Sequence, residues 1–289
     1  MLRSYRHVSR FLGICCAIQV AGCATVIATL DPAKREIMTA AATGDGGRVK
    51  ELIARGTDPN FTDGGLSPLG AATFGGHLAS ARALLEGGAS ADLELENGHR
   101  ALALAARRGD IEAIQLLLAF KADANAKNHS GETALQVAAW EGHAAVVQAL
   151  IVGAANPNSR DNSGTSPLHA AASRGHTDAV RALIHGGADL NAKGLNSGVT
   201  PLLMAAGGGH ILTARALIAA GADANAAAAG VTALRIAAAM GNAIMLKDLI
   251  AAGAPLNERD SRGRTALTLA RLGKHAEAVN VLQAAGATE

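Results

Sequence analysis

The chain is poor in aromatic residues. Its 289 residues include one Trp, one Tyr and four Phe, whereas hydrophobic residues make up 49% of the sequence. Large rings therefore cannot fill the core, which must be built mainly from Ala, Leu, Ile and Val. Abundant Ala allows helices to approach one another closely, because the distance between packed helices depends on the side chains at the contact.

Charge of either sign is not in excess. The sequence carries 26 basic and 24 acidic residues, and removing Arg3, Arg6 and Arg10 with residues 1–22 leaves 23 basic against 24 acidic. A general nucleic-acid binder needs a basic stripe that displaces counterions. The near balance argues against that class.

No apolar run is long enough to span a bilayer comfortably, and one short run lies near the amino terminus. It extends over residues 11–21, which is too short to span a bilayer comfortably, and it follows three arginines. It ends in Val20-Ala21-Gly22-Cys23, which resembles the bacterial lipoprotein box. The resemblance implies that residues 1–22 are a signal peptide and that Cys23 is lipidated. The alternatives are an ordinary signal peptide with an incidental cysteine and an uncleaved anchor.

The cysteine count fits export. Cys15 and Cys16 lie in the segment expected to be removed, so Cys23 would be the single thiol, with no partner for an intramolecular disulfide. Residues 23–33 would form a tether, and the ten residues after Cys23 reach at most about 35 Å. In bacterial lipoproteins an Asp directly after the lipidated cysteine commonly favours retention in the inner membrane, and this chain has Ala24 at that position. We therefore expect the protein in the bacterial envelope, lipid-anchored in the outer membrane and facing the periplasm.

The rest of the chain repeats itself. One position recurs at spacings of 33, 33, 33, 34, 32 and 33 residues, after a degenerate copy that starts 32 residues earlier, near Arg35. A fixed period of this size indicates a stacked array of supersecondary units. The copies start at Arg35, Ser67, Arg100, Thr133, Ser166, Thr200, Thr232 and Thr265.

Each copy predicts two helices joined by glycine. A Ser or Thr begins the first helix as its N-cap, often followed by Pro, and Leu recurs two positions later. A Gly ends that helix, and a second apolar stripe at helical spacing predicts the next helix. A second Gly follows in most copies, but Lys121 and Ala154 replace it in two, so those ends should be strained or differently closed. A turn signal such as Asp161-Asn162-Ser163-Gly164 predicts a hairpin-like finger.

This pattern resembles the ankyrin repeat, most fully in residues 165–176, Thr-Ser-Pro-Leu-His-Ala-Ala-Ala-Ser-Arg-Gly-His. The resemblance covers residues 34–289 and implies an all-α ankyrin solenoid of about eight helix-turn-helix repeats with hairpin-like fingers. One departure is that only His169 keeps the signature His three positions after the cap.

Catalytic and metal-binding patterns are lacking. Five of the ten histidines share one repeat position and three aspartates share another, so we interpret them as structural residues rather than ligands. The sequence has no GxSxG, phosphate-loop, HExxH or CxxC motif. We therefore expect no enzyme activity, no metal, no cofactor and no small-molecule substrate.

Binding to another protein is the function that the resemblance implies. In ankyrin arrays the fingers and the exposed residues late in the first helix line a concave groove. Trp and Arg are enriched in binding hot spots. The predicted contact residues are Phe74, Arg107, Arg108, Trp140, Glu141 and Arg174 on first helices, and His129, Arg160 and Leu195 on fingers.

The expected function is therefore that of a lipid-anchored scaffold that binds a protein partner in the envelope. Two alternatives stay open. One is an immunity or inhibitor protein against an exported toxin or enzyme. The other is a secreted effector that binds host proteins, which the lipoprotein box argues against.

Overall fold

The computed structural model describes residues 31–194 and 198–289. Within these ranges the chain forms sixteen α-helices in eight consecutive pairs, and each pair supplies a first and a second helix. This confirms the predicted all-α repeat. The predicted signal peptide, Cys23, most of the tether and Leu195 lie outside the described residues. No helix in the described ranges is both long and apolar enough to cross a membrane.

The chain divides into two compact units. The first unit ends at Glu96, and its described part holds helices α1 (Pro32–Thr43), α2 (Gly46–Ala54), α3 (Pro68–Gly75) and α4 (Leu78–Glu86). Helix α1 packs on α3, and α2 packs on α4. Each helix therefore pairs with its counterpart in the neighbouring repeat.

The second unit, residues 97–289, holds the other six pairs, which stack in the same way. A short 3-10 turn, Glu96–Gly98, lies at its start. Its helices are α5 (Ala101–Arg108), α6 (Ile111–Ala119), α7 (Ala134–Glu141), α8 (Ala144–Val152), α9 (Pro167–Arg174), α10 (Thr177–His185), α11 (Pro201–Gly207), α12 (Ile211–Ala219), α13 (Ala233–Ala239), α14 (Ala243–Ala251), α15 (Ala266–Leu272) and α16 (Ala276–Ala284).

Hydroxyl caps set where the first helices begin. Ser166 accepts a hydrogen bond from the backbone N–H of His169, and Pro167 follows as the first helical residue, where a missing N–H costs nothing. Ser67, Thr133, Thr200, Thr232 and Thr265 form the same cap. Arg100 stands at the equivalent position of α5 without a side-chain cap.

A residue in the left-handed backbone conformation follows each of the two helices in most repeats. Gly142 ends α7 with φ 82°, and a Cβ there would come within 2.6 Å of the His176 ring. Lys121 and Ala154 adopt φ 65° where other copies have Gly. The predicted strain is confirmed, because a residue with a Cβ pays about 1–2 kcal/mol in this conformation.

The core consists of Leu and small residues. The Leu that begins the closing pair of each second helix is buried in every copy, and Leu150 and Leu183 have no exposed surface. The adjacent Ala pairs of the first helices, such as Ala138 and Ala139, are equally buried. These invariant positions hold neighbouring repeats together and leave the helix ends free to vary.

Hydrogen bonds of side chains, rather than paired strands, close most of the fingers. In the described residues only β1 (Ala227–Ala228) and β2 (Val231–Thr232) form a strand pair, which is antiparallel. In the finger of the fourth repeat, Asp161 Oδ1 accepts from the N–H groups of Ser163 and Thr165, at 2.9 and 2.8 Å. The finger is thus hairpin-like in its course, and an Asx side chain closes it.

The position of the signature His carries a bridge between repeats, although its residue changes. His169 Nδ1 accepts from the Ser166 N–H at 3.2 Å, and its Nε2–H donates to the Val199 carbonyl in the next finger at 2.9 Å. Gln136 in the preceding repeat makes the equivalent pair, with Oε1 accepting from Thr133 N–H and Nε2 donating to the Thr165 carbonyl. The two side chains are isofunctional here because each offers an acceptor and a donor.

Arg235 replaces this bridge with an ion pair. Its side chain is 6% exposed and its Nη2 lies 3.1 Å from Asp260 Oδ2, while Arg264 lies 2.8 Å from the same oxygen. The backbone N–H of Arg264 is the main cause that lowers the pKa of Asp260 to about 2, and the Arg264 side chain and the Arg262 N–H add to it. Two arginines and two turn amides therefore share one carboxylate.

Asp260→Asn should remove a pH-dependent part of the stability. A carboxyl with a depressed pKa in the folded state stabilises it above the unfolded pKa, and this contribution is lost as pH falls through the folded value. The difference in unfolding free energy between wild type and variant should be full near pH 5 and shrink between about pH 4 and pH 2. Denaturant titrations at several pH values measure it, with Glu258→Gln in the same finger as control. A difference that is constant with pH would contradict the assignment.

Candidate functional site

The predicted contact residues on first helices occupy the last two helical positions in four successive repeats. Phe74, Arg107, Trp140 and Ser173 each stand next to last in a first helix, and Arg108, Glu141 and Arg174 end theirs. The cap and the left-handed Gly fix the register, so that the variable side chains come at the helix end. Phe74 belongs to the first unit, and the others belong to the second.

Trp140 and Arg174 form the clearest contact among them. The Arg174 guanidinium lies over the Trp140 ring, 4.9 Å from its centroid. Trp140 is half-buried and Arg174 is exposed. A cation above an aromatic face is worth about 0.5–1 kcal/mol at an exposed site. The pair therefore presents a flat, partly apolar surface with a positive edge.

Histidines of the second helices hold this helix end in place. His176 Nε2 lies 2.9 Å from the Trp140 carbonyl, and His143 Nε2 lies 3.1 Å from the Arg107 carbonyl. A carbonyl can only accept, so Nε2 carries the proton in both rings. Burial lowers the pKa of His176, and its hydrogen bond to the Trp140 carbonyl opposes that shift. The shared His position is thus structural, as the sequence predicted.

A second cluster lies beside Arg107. Its Nε is buried and has no hydrogen-bond partner among the described residues. Burial is the main cause that lowers the pKa of His99 to about 4, and the electrostatic effects of Arg107 and His129 lower it further. His99 is therefore neutral at neutral pH and adds an uncharged ring to a basic neighbourhood.

Each of the described finger residues is held by a neighbouring finger. The His129 N–H donates to the Asn97 carbonyl at 3.0 Å, and Arg160 Nη1 donates to the Lys193 carbonyl at 2.6 Å. His129 is exposed and Arg160 is half-buried. The backbone of these fingers is accordingly fixed by neighbours before any partner arrives.

The described residues offer no metal site. No group of three or more His, Cys, Asp or Glu side chains in residues 31–194 and 198–289 is arranged to hold an ion. The five structural histidines point their Nε2 atoms, where the bonds are described, at backbone carbonyls instead. What the site offers is a surface of rings and guanidinium groups.

The family model for ankyrin repeats matches the chain in overlapping segments, residues 37–128, 80–161, 102–194, 135–228 and 202–288. The chain belongs to the ankyrin-repeat family. No curated protein matches it closely enough to name a relative. Ankyrin repeats are typically binding scaffolds rather than enzymes. The departures from the family signature, Gln136 and Arg235, keep its inter-repeat bridge by different chemistry, as described above.

Sequence reasoning missed two parts of this ankyrin surface. The sequence assigns no role to His99, whereas in the structure His99 lies close enough to Arg107 for that charge to lower its pKa. Lys127 and Lys193 were not singled out, although they stand 33 residues before and after Arg160. The period itself was the signal that could have found both lysines.

Proposed function

We propose that this ankyrin-repeat protein is a lipid-anchored scaffold in the bacterial envelope. Its recognition surface would comprise the first-helix ends and the fingers of the second unit. The single observation that carries the proposal is the half-exposed Trp140 under Arg174, in a chain that has only one Trp. Trp and Arg are the residue types that most often dominate a protein interface.

The fixed backbone of the surface supports binding rather than folding on contact. The first-helix ends and the fingers are held by hydrogen bonds to adjacent repeats, so binding a partner would cost little free energy for ordering them. Because Leu and Ala form the core, the packing that stabilises the repeats rests mainly on those residues and not on the rings and guanidinium groups of the first-helix ends. Substitutions there should alter recognition more than folding.

The anchor and the location are proposed from the sequence alone. The Val20-Ala21-Gly22-Cys23 box, the preceding apolar run and the three arginines support processing at Cys23. A short tether would then hold the array near the outer membrane, facing the periplasm. An immunity or inhibitor role toward an exported enzyme is one form that such binding could take.

Trp140→Ala should weaken partner binding by about 30-fold, the effect of a hot spot worth ~2 kcal/mol, while the helical content stays the same. The tagged chain is used to capture partners from envelope extract, the recovered proteins are quantified by mass spectrometry, and the affinity for the main partner is then measured. Phe120→Ala is the matched control, because Phe120 is an exposed aromatic at the end of a second helix. Equal recovery by wild type and Trp140→Ala would remove Trp140 from the recognition surface.

Cys23→Ser should move the protein from the membrane to the soluble fraction, because serine cannot accept the lipid. Cell fractionation and labelling with a radioactive fatty acid report the change. Cys15→Ser is the matched control, since Cys15 lies in the segment expected to be removed, and it should leave both readouts unaltered. Membrane association and labelling that survive Cys23→Ser would refute the lipoprotein assignment.

A further inference from the structure

Exposed aliphatic side chains are concentrated at the helix-to-helix turns of the last three repeats. Leu212 and Ile244 lie near the starts of α12 and α14, Met240 follows α13, and Leu272 ends α15. Their exposed fractions are 64%, 48%, 48% and 66%, in that order. These four residues are called the turn patch below. Clustered apolar side chains on a protein surface generally mark a place where another molecule binds.

The three turns are in contact with one another. The Met240 side chain reaches back to the sixth repeat, since its Cε lies 3.4 Å from where a Cβ of Gly209 would be. The His275 ring of the last turn lies against Gly241, and its Nε2–H donates to the Ala239 carbonyl at 3.1 Å. Helices α11, α13 and α15 pack in order, as do α12, α14 and α16. The turn patch is therefore one edge of the second unit rather than four separate positions.

This edge has no charge at its centre. The turns of the sixth and seventh repeats, residues 207–213 and 239–246, contain no Asp, Glu, Lys or Arg. The corresponding turns of the third, fourth and fifth repeats carry Arg108, Glu141 and Arg174. Stacking of the repeats therefore does not require an apolar turn, and the patch needs another explanation.

Charges of both signs lie at the rim of the patch. Lys247 lies one helical turn beyond Ile244 on α14. Lys274 belongs to the last turn, and Glu277 occupies the position there that Ile244 has in its own repeat. All three charged side chains are exposed, and none has an ion-pair partner in the part of the chain that the structure describes.

The other charges near the patch neutralise one another. Arg215 forms an ion pair with Asp248 at 2.7 Å, and Arg271 pairs with Glu289. What remains is an apolar centre with two unpaired lysines and one unpaired glutamate at its rim. The surface thus carries both halves of an ion pair without joining them.

We propose that the turn patch binds the turn patch of a second copy of this chain, which gives a twofold dimer. In such an interface the same surface is used twice, so residue i of one copy contacts residue j of the other and the reverse. Glu277 of each copy then pairs with Lys247 or Lys274 of the other, while the aliphatic side chains leave water at the centre. An apolar centre inside a polar rim is the usual anatomy of a homodimer interface.

This inference goes beyond the proposed function and uses other residues. The turn patch belongs to the sixth, seventh and eighth repeats, whereas Trp140 and Arg174 belong to the fourth and fifth. A dimer formed through the turn patch would place two copies of the recognition surface in one particle. Partner binding and dimer formation can therefore be measured separately.

A lipid surface fits this edge less well than a second copy does. Anionic lipid phosphates would attract the two lysines but repel Glu277, which stands in line with Leu212 and Ile244 at one repeat position. Trp and Tyr are enriched where proteins contact the membrane interface, and the turn patch contains neither. Charges of both signs at the rim favour a protein surface of the same mixed character.

Thiol crosslinking of the full chain in intact cells tests the contact. Ile244→Cys places a thiol in the turn patch, and Val152→Cys places one at the end of α8, where the native side chain is 89% exposed. A short bis-maleimide should join two copies of Ile244→Cys into a dimer and should leave Val152→Cys and the wild type monomeric. The wild type is the control for the three native cysteines.

Charge variants of the rim identify the second copy as the occupant. Glu277→Lys makes the rim entirely basic, and Lys247→Glu/Lys274→Glu makes it entirely acidic. Each variant should co-purify with a differently tagged copy of itself at least about tenfold less than wild type does, because like charges would meet across the interface. The two variants expressed together should associate with each other nearly as well as wild type, and circular dichroism should show unchanged helical content in all chains.

The remaining outcomes would overturn the second copy. Wild-type copies that fail to co-purify, or charge variants that associate with themselves as well as wild type does, would contradict the interface. A fluorescent label at Ile244→Cys that spin-labelled lipids quench would assign the patch to the membrane, and crosslinking to a protein of different mass would assign it to another partner. Trp140→Ala should dimerise as wild type does, so loss of partner binding in that variant leaves this inference unaffected.

Discussion

The hydrogen bond from the second-helix histidine to the preceding repeat is the interaction on which this surface depends. His176 donates to the carbonyl of Trp140, so the backbone of one repeat is fixed by the side chain of the next. Gly142 makes the contact possible, because any Cβ at that position would meet the ring. The same bond recurs at His143, His210 and His275. Removing it would free the helix end that carries the variable residues.

Recognition and stability therefore use different parts of each repeat. Leu, Ala, the caps and the left-handed glycines recur because each has a fixed physical task in stacking. The side chains late in the first helices have no such shared task, and there the copies differ most. Phe74, Arg107, Trp140 and Ser173 stand at equivalent places, and there the chemistry changes from a ring to a charge, back to a ring and then to a hydroxyl. One finger position is an exception, because a basic residue recurs there in three consecutive repeats, as Lys127, Arg160 and Lys193.

The sequence predicted the fold nearly completely. For the candidate site it predicted which repeat positions carry the variable residues, but not the contacts that those residues make. Hydroxyl caps, Leu positions and left-handed ends follow from local rules that act within a few residues, and Lys121 and Ala154 behave as those rules require. Bridges between repeats could not be predicted in the same way. His169, Gln136 and Arg235 look unrelated in sequence, and only the direction of their side chains toward the next finger shows the shared role. Lys127 and Lys193 were not predicted for the same reason, because their roles are contacts with a neighbouring finger. Lys127 Nζ donates to the Arg160 carbonyl, and the Lys193 carbonyl accepts from Arg160 Nη1. The contact residues themselves stay a prediction until a partner is known.

Amide hydrogen exchange in the free protein tests most directly whether the surface is formed before binding. The N–H of His129 donates to Asn97 and the N–H of Asn162 donates to Ser130, both at 3.0 Å and both across a repeat boundary. Exchange at either amide requires neighbouring repeats to part, so the protection should approach that of helix amides near Leu150. Exchange as fast as in an unstructured loop would show that the fingers form only on binding and would contradict a preorganised surface.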